Sequence, residues 1–399
     1  MQRTFKYRLY PSAKQRKALF ATFKFCRLLY NSSLQERISF YKIFGKSRKY
    51  TEQAAFLPEI KADFADELQN QKSALASPVN KIHSQVLQQV LKQLDASYQN
   101  FFRRVKEGSE APGFPRFKNR DRFRSICFPQ VTSDLSQMRG VKLTDNKLKI
   151  FGIDGDIRIV LHRPFEGIAK QCRIVMKNDN FYLCISCNNV AAKPLSTTNR
   201  TIGIDLGIVS FATLDDGTKF HHPRPYQTAK EKLAYYQRKL TLKQKGSLNR
   251  LKVKKSLSKV YEKISNIRED FQHKLANKII EENDTIIIEK LNIKSMLEAK
   301  GFEVNKSNIQ EASWGKFVSK LIYKAESAGR SIREVNPMNT SKTCSHCGKI
   351  NKELTLRDRE FRCEACGFAM DRDRNAAINI RRLGTSLAIV KAISEAPRL

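Results

Sequence analysis

Residues 1–10 alternate apolar and polar positions, with Phe5, Tyr7 and Leu9 on one side, and predict a strand that Pro11 ends. From Ala13 to about Lys42 the period becomes helical, carried by Leu19, Phe23, Cys26, Leu29, Tyr30 and Leu34. A second long helix is expected from Val79 to Val105, with Ile82, Val86, Val90, Leu91, Leu94, Tyr98 and Phe102, ending at Gly108. Residues 11 to 110 therefore read as a helical segment. From Ser125 to Val190, short apolar runs are separated by the turn pairs Asp145-Asn146, Asp154-Gly155 and Asn178-Asp179, which predicts a small antiparallel sheet or barrel. The first strand would join it, making the helical segment an insertion.

A new block starts at about Asn199. TIGIDLGIVSFATLDDG reads as two strands joined by a tight turn around Gly207, and a basic helical region follows from Gln227 to Arg268. DTIIIEKLN (284–292) reads as a buried strand, and 308–328 as a helix with Trp314, Phe317, Leu321 and Ile322 along one face and Gly329 as its cap. SIREVNP (331–337) is another strand. The order β-β-α-β-α-β-α is that of an α/β domain with a mixed sheet, so the whole chain reads as multidomain α+β.

Charge narrows the function. Lys and Arg total 74 against 39 acids, and such self-repulsion calls for a polyanionic partner. Nucleic acid fits better than an anionic membrane, because no polybasic amphipathic helix with an aromatic face stands out. The 41% apolar content across 399 residues argues for folded domains rather than disorder. No apolar run reaches the roughly 20 residues of a membrane helix, and MQRTFKYRLYPSAKQ lacks the apolar core of a signal peptide. A cytoplasmic protein, nucleoid-associated in a prokaryote, is expected, with nine reduced cysteines rather than a disulfide framework.

Two stretches are candidate nucleic-acid contacts. GFPRFKNRDRFR (113–124), which contains Lys118, interleaves aromatics with cations; it also fits a loop crossing a domain boundary. Residues 221–268 hold 14 Lys and Arg against Glu231 and Glu262 alone. Arg238, Lys239, Lys243, Lys245, Arg250, Lys252, Lys254 and Lys255 make both faces too basic for a salt-bridge-laced surface.

Cys344-x-x-Cys347, fifteen residues, then Cys363-x-x-Cys366 supplies two knuckles and four thiolates for one tetrahedral zinc. Four thiolates leave no open position, so this zinc is structural, and the loop has almost no core without it. Gly348 and Gly367 follow the second cysteine of each knuckle, and His346 between two ligands is expected to be exposed. Cys184 and Cys187 form another CxxC, but on a strand, positions three apart face opposite sides; these are expected to be structural thiols.

Carboxylates raise the remaining question. Asp205 in IGIDLG and Glu289 in TIIIE end apolar strands, either reaching solvent or binding a cation. An acid at the start of the helix after the cysteines would complete a Mg²⁺ site in an open α/β sheet. Asp371 stands just before that helix and is placed to cap it, whereas Asp373 lies inside the first turn.

FKYRLYPSAKQ, GFPRFK, IGIDLGIVSFATLDDG, QRKLTLKQKGSLNR, IIIEKLNIKSM, YKAESAGR, NTSKTCSHCG and DRDRNAAINI follow one another in the chain. As an ordered set, they resemble TnpB, the transposon-encoded RNA-guided DNA endonucleases related to type V CRISPR effectors. The resemblance covers essentially the whole chain. One departure is Lys290, where many relatives carry a second acid.

The resemblance implies a RuvC-type nuclease domain of RNase H-like fold, with Asp205, Glu289 and Asp373 as catalytic ligands of two Mg²⁺ ions. It implies a wedge-like β-barrel (1–10 plus 111–198) holding the RNA scaffold and a helical recognition domain (11–110) along the guide–target heteroduplex. The nuclease domain would comprise 199–340 plus 368–399, with a zinc-finger insertion at 341–367. Partners would be a guide RNA from the element end and double-stranded target DNA, with one protein chain per RNA and no membrane. Base pairing would read the target, and protein only a short flanking motif. A nuclease-inactive RNA-guided repressor would lack one of the three acids, and all three are present. A DNA-binding or recombination protein working without RNA is the third reading, weakened by the absence of a recognisable Ser or Tyr recombinase motif.

Overall fold

The computed structural model describes residues 1–70, 82–298, 303–355 and 358–395. The chain divides into two compact units, Met1–Ala191 and Ala192–Leu399.

In the first unit, β1 (Arg3–Tyr10) buries Phe5, Tyr7 and Leu9, as the alternation predicts. Helix α1 (Ala13–Phe44) starts in a capping box, Ser12 Oγ accepting from the Gln15 N–H at 3.3 Å and Gln15 Oε1 from the Ser12 N–H at 2.9 Å. It ends at Gly45, whose φ of 65° is the left-handed turn glycine tolerates. Two shorter helices follow, α2 (Tyr50–Ala55) and α3 (Leu57–Asn70). Helix α4 runs from Ser84 to Lys106 with His83 as cap; the expected start at 79–81 lies outside the described residues. Val86, Val90, Leu91, Leu94 and Tyr98 are buried, but Phe102 is not: it sits in an outer aromatic cluster with Phe101, Phe114 and Tyr98.

The strands β2 (Ser125–Phe128), β3 (Val141–Thr144), β4 (Lys147–Ile150), β5 (Ile157–Val160), β6 (Ile168–Lys177) and β7 (Asn180–Asn188) join β1 in one antiparallel sheet. Its order is β2-β6-β7-β1-β5-β4-β3, so the first strand is central although the helices interrupt it in sequence. The segment after β2 bridges the ends: Ala169 donates its N–H to Ser133 O at 3.0 Å, and Leu143 to Leu135 O at 2.9 Å. The sheet is nearly closed. Gln15 Nε2 donates to Asp154 O and Asp156 O, fastening α1 to a sheet turn. One core includes Phe23, Leu29, Leu91 and Leu94 of the helices and Ile174, Phe181 and Leu183 of the sheet.

The second unit centres on a five-stranded sheet of order β10-β9-β8-β11-β12. Its strands are β8 (Thr201–Asp205), β9 (Ala212–Leu214), β10 (Lys219–Phe220), β11 (Thr285–Glu289) and β12 (Ser331–Val335). Strands β8, β11 and β12 are parallel, and β9 and β10 antiparallel. The two-residue β10 was not expected, because so short an edge carries no alternation of its own.

Helices α5 (Pro225–Thr228), α6 (Lys230–Thr241) and α7 (Leu248–Glu282) follow β10, and α8 (Ile293–Glu298), α9 (Glu303–Ala312) and α10 (Trp314–Ala328) follow β11. The single helix expected at 308–328 is broken at Ser313, which takes a φ of 52°. Trp314, Phe317 and Leu321 are buried, each contributing about 1.5–3 kcal/mol by the usual burial scale. Ile322 is 47% exposed, one position too far around the helix to reach the core. The cysteine loop carries a small hairpin, β13 (Glu360–Arg362) with β14 (Ala369–Asp371), and α11 (Arg372–Glu395) ends the unit.

Candidate functional site

Side-chain alternation sorts the two faces of the five-stranded sheet. Ile202, Ile204, Ile286 and Ile288 face a core shared with Leu275 and Ile279 of α7 and Trp314, Phe317 and Leu321 of α10. Gly203 and Ile287 belong to the opposite face, and α11 lies directly on it. A Cβ on Gly203 would come within 2.1 Å of Ala377 O, and one on Gly384 within 2.4 Å of Ile287. Asp205 and Glu289 share the period of Gly203 and Ile287, so they point to the α11 side at the C-terminal ends of their strands. Ile204 is paired with Ile288, which brings the two acids to neighbouring positions on adjacent parallel strands. This is where open α/β sheets bind ligands.

The field matches that placement. Asp205 is half-buried, and burial pushes its carboxyl well above the usual range, helped by Glu289 and Asp373 and opposed by Arg372. Glu289 is 8% exposed, and burial raises its carboxyl too, although a hydrogen bond to Thr340 Oγ1 works the other way. Asp373 lies in the first turn of α11, and Arg372 Nη2 pairs with it at 3.3 Å. Carboxylates held close in a partly buried site disfavour their own ionisation, and a hard cation would relieve them. Sequence reasoning missed Arg372, the cation already among these acids; its position between Asp371 and Asp373 was the available signal.

Asp371 does what a cap does, accepting from the Arg374 N–H at 3.0 Å. It also pairs with Lys219 Nζ at 2.6 Å. Burial alone would raise its carboxyl, but Lys219 and the Arg374 N–H outweigh this and hold it below the usual range. Asp371→Ala is expected to cost about 1 kcal/mol of stability and leave catalytic rate near wild type. Thermal unfolding and single-turnover cleavage separate the two; a folded but inactive variant would give Asp371 the role assigned to Asp373.

The cysteine loop folds as two matching turns. Gly348 donates its N–H to Cys344 O at 3.0 Å, and Gly367 to Cys363 O at 2.9 Å. Both glycines adopt positive φ, 80° and 70°. The four Sγ atoms of Cys344, Cys347, Cys363 and Cys366 lie within 4.8 Å of one another, the Cys344–Cys366 and Cys347–Cys363 separations being 3.8 and 3.5 Å. Tetrahedral zinc with bonds of about 2.3 Å needs sulfurs about 3.8 Å apart. The donor set therefore fits a structural zinc. Burial works against the Cys363 thiolate, yet the N–H groups of Cys366 and Ala365 draw its thiol down to about 7. His346 is exposed and stacks on Phe368. Among the described residues, Asp205, Glu289 and Asp373 are not drawn into so tight a group.

The other candidates are dispersed. Cys184 is half-buried and Cys187 buried on alternating positions of β7, as structural thiols should be. Lys118 holds its Nζ 4.0 Å from the Tyr30 ring and 5.5 Å from that of Phe123; burial lowers its pKa to about 8. It is committed to an aromatic cage rather than displayed. Arg238, Lys239, Lys243, Lys245, Lys252, Lys254 and Lys255 are exposed on α6, α7 and the turn between them. Arg250 instead donates to the carbonyls of Leu240 and Lys243, closing that turn.

The chain is 31% identical over 390 residues to a Streptomyces pristinaespiralis protein named "Putative RNA-guided DNA endonuclease", covering 96% of this chain and 90% of the relative. The chain belongs to the TnpB family. A second relative of that name, InsQ of Escherichia coli K12, is 30% identical, with 95% of this chain and 92% of the relative covered. The "CRISPR-associated endodeoxyribonuclease Cas12f1" of Sulfoacidibacillus thermotolerans is 27% identical over 55% of this chain and 54% of its own length. Family profiles described as "Probable transposase" match residues 178–300, "Cas12f1-like, TNB domain" 314–380, and "Helix-turn-helix domain" 1–46. In this TnpB-family chain the TNB match spans the cysteine knuckles and both Asp371 and Asp373. No helix among the described residues is long and apolar enough to cross a membrane.

Proposed function

We propose that this chain is an RNA-guided DNA endonuclease of a transposable element, hydrolysing phosphodiester bonds at Asp205, Glu289 and Asp373. The near full-length likeness to relatives bearing that name carries the reading. The site adds a physical reason: three acids from two strand ends and one helix start share a field that favours a bound cation. The order β10-β9-β8-β11-β12, with its three parallel strands, supports an RNase H-like, RuvC-type domain comprising 199–340 and 368–399.

Two Mg²⁺ ions held there would supply an activated water and stabilise the leaving oxygen. Asp205 and Glu289 hold their carboxylates on rigid strands, and Asp373 holds its own on the first turn of α11. Asp371 fixes the helix start. Zinc on the four cysteines would keep the 341–367 insertion folded. The exposed cations of α6 and α7 suit phosphates and would contribute salt-dependent affinity.

The nearly closed sheet, 1–10 with 111–198, is assigned to the RNA scaffold. Its outer face supports this, because cations and rings alternate across three strands: Lys6 over Tyr182 at 4.2 Å, Arg8 over Tyr10 at 5.3 Å, and Arg158 over Tyr10 at 5.7 Å. Residues 11–110 are assigned to the guide–target heteroduplex.

Expression from the native locus, with downstream DNA included, followed by sequencing of copurifying RNA, tests the reading. A discrete RNA with a constant scaffold and a 3′ end running past the element is expected. Heterogeneous RNA, or none, would overturn RNA guidance.

A further inference from the structure

Thr340 precedes the first zinc-ligating cysteine by four residues and is 3% exposed. Its hydroxyl meets the buried Glu289 carboxylate, and Pro337 O at 3.1 Å is the other acceptor within reach. A threonine hydroxyl has one proton to give, and the carboxylate is the stronger acceptor. The Glu289 carboxylate takes no hydrogen bond from another donor among the described residues, so this hydroxyl is what holds its oxygen in one direction.

Thr340 is itself gripped from the far side. Asn379 Nδ2 of α11 donates to Thr340 O at 2.9 Å and to Thr343 O. Asn375 Nδ2 donates to Thr343 O at 2.8 Å, and its Oδ1 accepts from the Ser345 N–H at 2.9 Å. Asn375 and Asn379 are buried and one helical turn apart. A continuous polar chain therefore runs from the helix that carries Asp373, through the strap 340–345, to the acid on β11. The strap includes Cys344, which is fully buried in the cysteine cluster.

We infer that Thr340 is a positioning residue for Glu289, and that the strap it heads sets the spacing of the strand acid against the helix acid. This rests on the nuclease reading above. Orienting partners of metal ligands typically contribute 10–100-fold in affinity or activity.

The test compares wild type, Thr340→Val, Thr340→Ser and Glu289→Gln as guide-bound complexes. Mn²⁺ binding is followed by EPR of the free ion, cleavage is measured against Mg²⁺ concentration, and zinc content and melting temperature are recorded. Thr340→Val is expected to weaken Mn²⁺ binding about tenfold or more and raise the Mg²⁺ needed for half-maximal cleavage by a similar factor. Thr340→Ser should restore both, with zinc content unchanged. Wild-type Mn²⁺ affinity in Thr340→Val, or equal defects in valine and serine variants, would overturn the proposal. If valine disturbs folding, Thr340→Ala is read against Thr340→Ser in the same way. A wild-type complex with neither Mn²⁺ binding nor cleavage would overturn the nuclease reading itself, a result the Thr340 variants alone could not produce.

Discussion

Glu289→Gln is expected to lower DNA cleavage by roughly a thousandfold or more while guide RNA and target DNA still bind. The substitution keeps shape and an oxygen facing Thr340 but removes the charge. Asp205→Asn and Asp373→Asn should behave alike, because all three acids are assigned to one cation site, and Glu289 and Asp373 both raise the Asp205 carboxyl. Loss of any one leaves the others with less reason to hold a cation, so double variants should be little worse than single ones. Binding should survive, because the phosphate contacts proposed for the exposed cations of α6 and α7 lie outside the three acids. Gel-shift and single-turnover cleavage on the same preparation check both halves. Normal cleavage by Glu289→Gln would remove the metal-site assignment.

Cys344→Ser is expected to strip the zinc and unfold the insertion. The cluster around it is small, comprising Cys344, Leu354, Phe361 and Cys363 with Phe368 alongside, and cannot hold the loop by burial alone. Structural zinc in finger peptides contributes about 10–16 kcal/mol of apparent binding energy, most of it folding energy. Loss should spread to the strap, because Ser345 and Thr343 are the partners of Asn375 and Asn379. Cleavage is therefore expected to fall along with stability. Metal analysis and hydrogen exchange at 338–350 decide this; full zinc content would refute the ligand assignment.

Much of this was legible in sequence because the signals were local. β1 shows its face in three alternate residues, and the cysteine spacing needs no neighbours to be read. Asp371 and Asp373 could be told apart because a cap and a first-turn residue differ by position alone. What escaped depended on distant partners. The break at Ser313 and the exposure of Ile322 follow from how α10 packs, and the apolar pattern alone ran through both. Lys118 looked like a surface cation, but Tyr30 lies 88 positions earlier in the chain. Thr340 stood beside the cysteines with nothing in its own stretch to name Glu289.

The contact at Gly203 and Gly384 sets a hard stop. Gly203 rests on the helix backbone and Gly384 on the Ile287 side chain, so there is no room at either position for a Cβ between helix and sheet. A substitution in the isoleucine and Trp314 core on the sheet's other face meets side chains, which have rotamers to adjust, and Ile287 is not among them. The two sides of the sheet thus have unequal tolerances: one can be repacked, whereas the other works like a machined seat, and the acids are mounted on the seat.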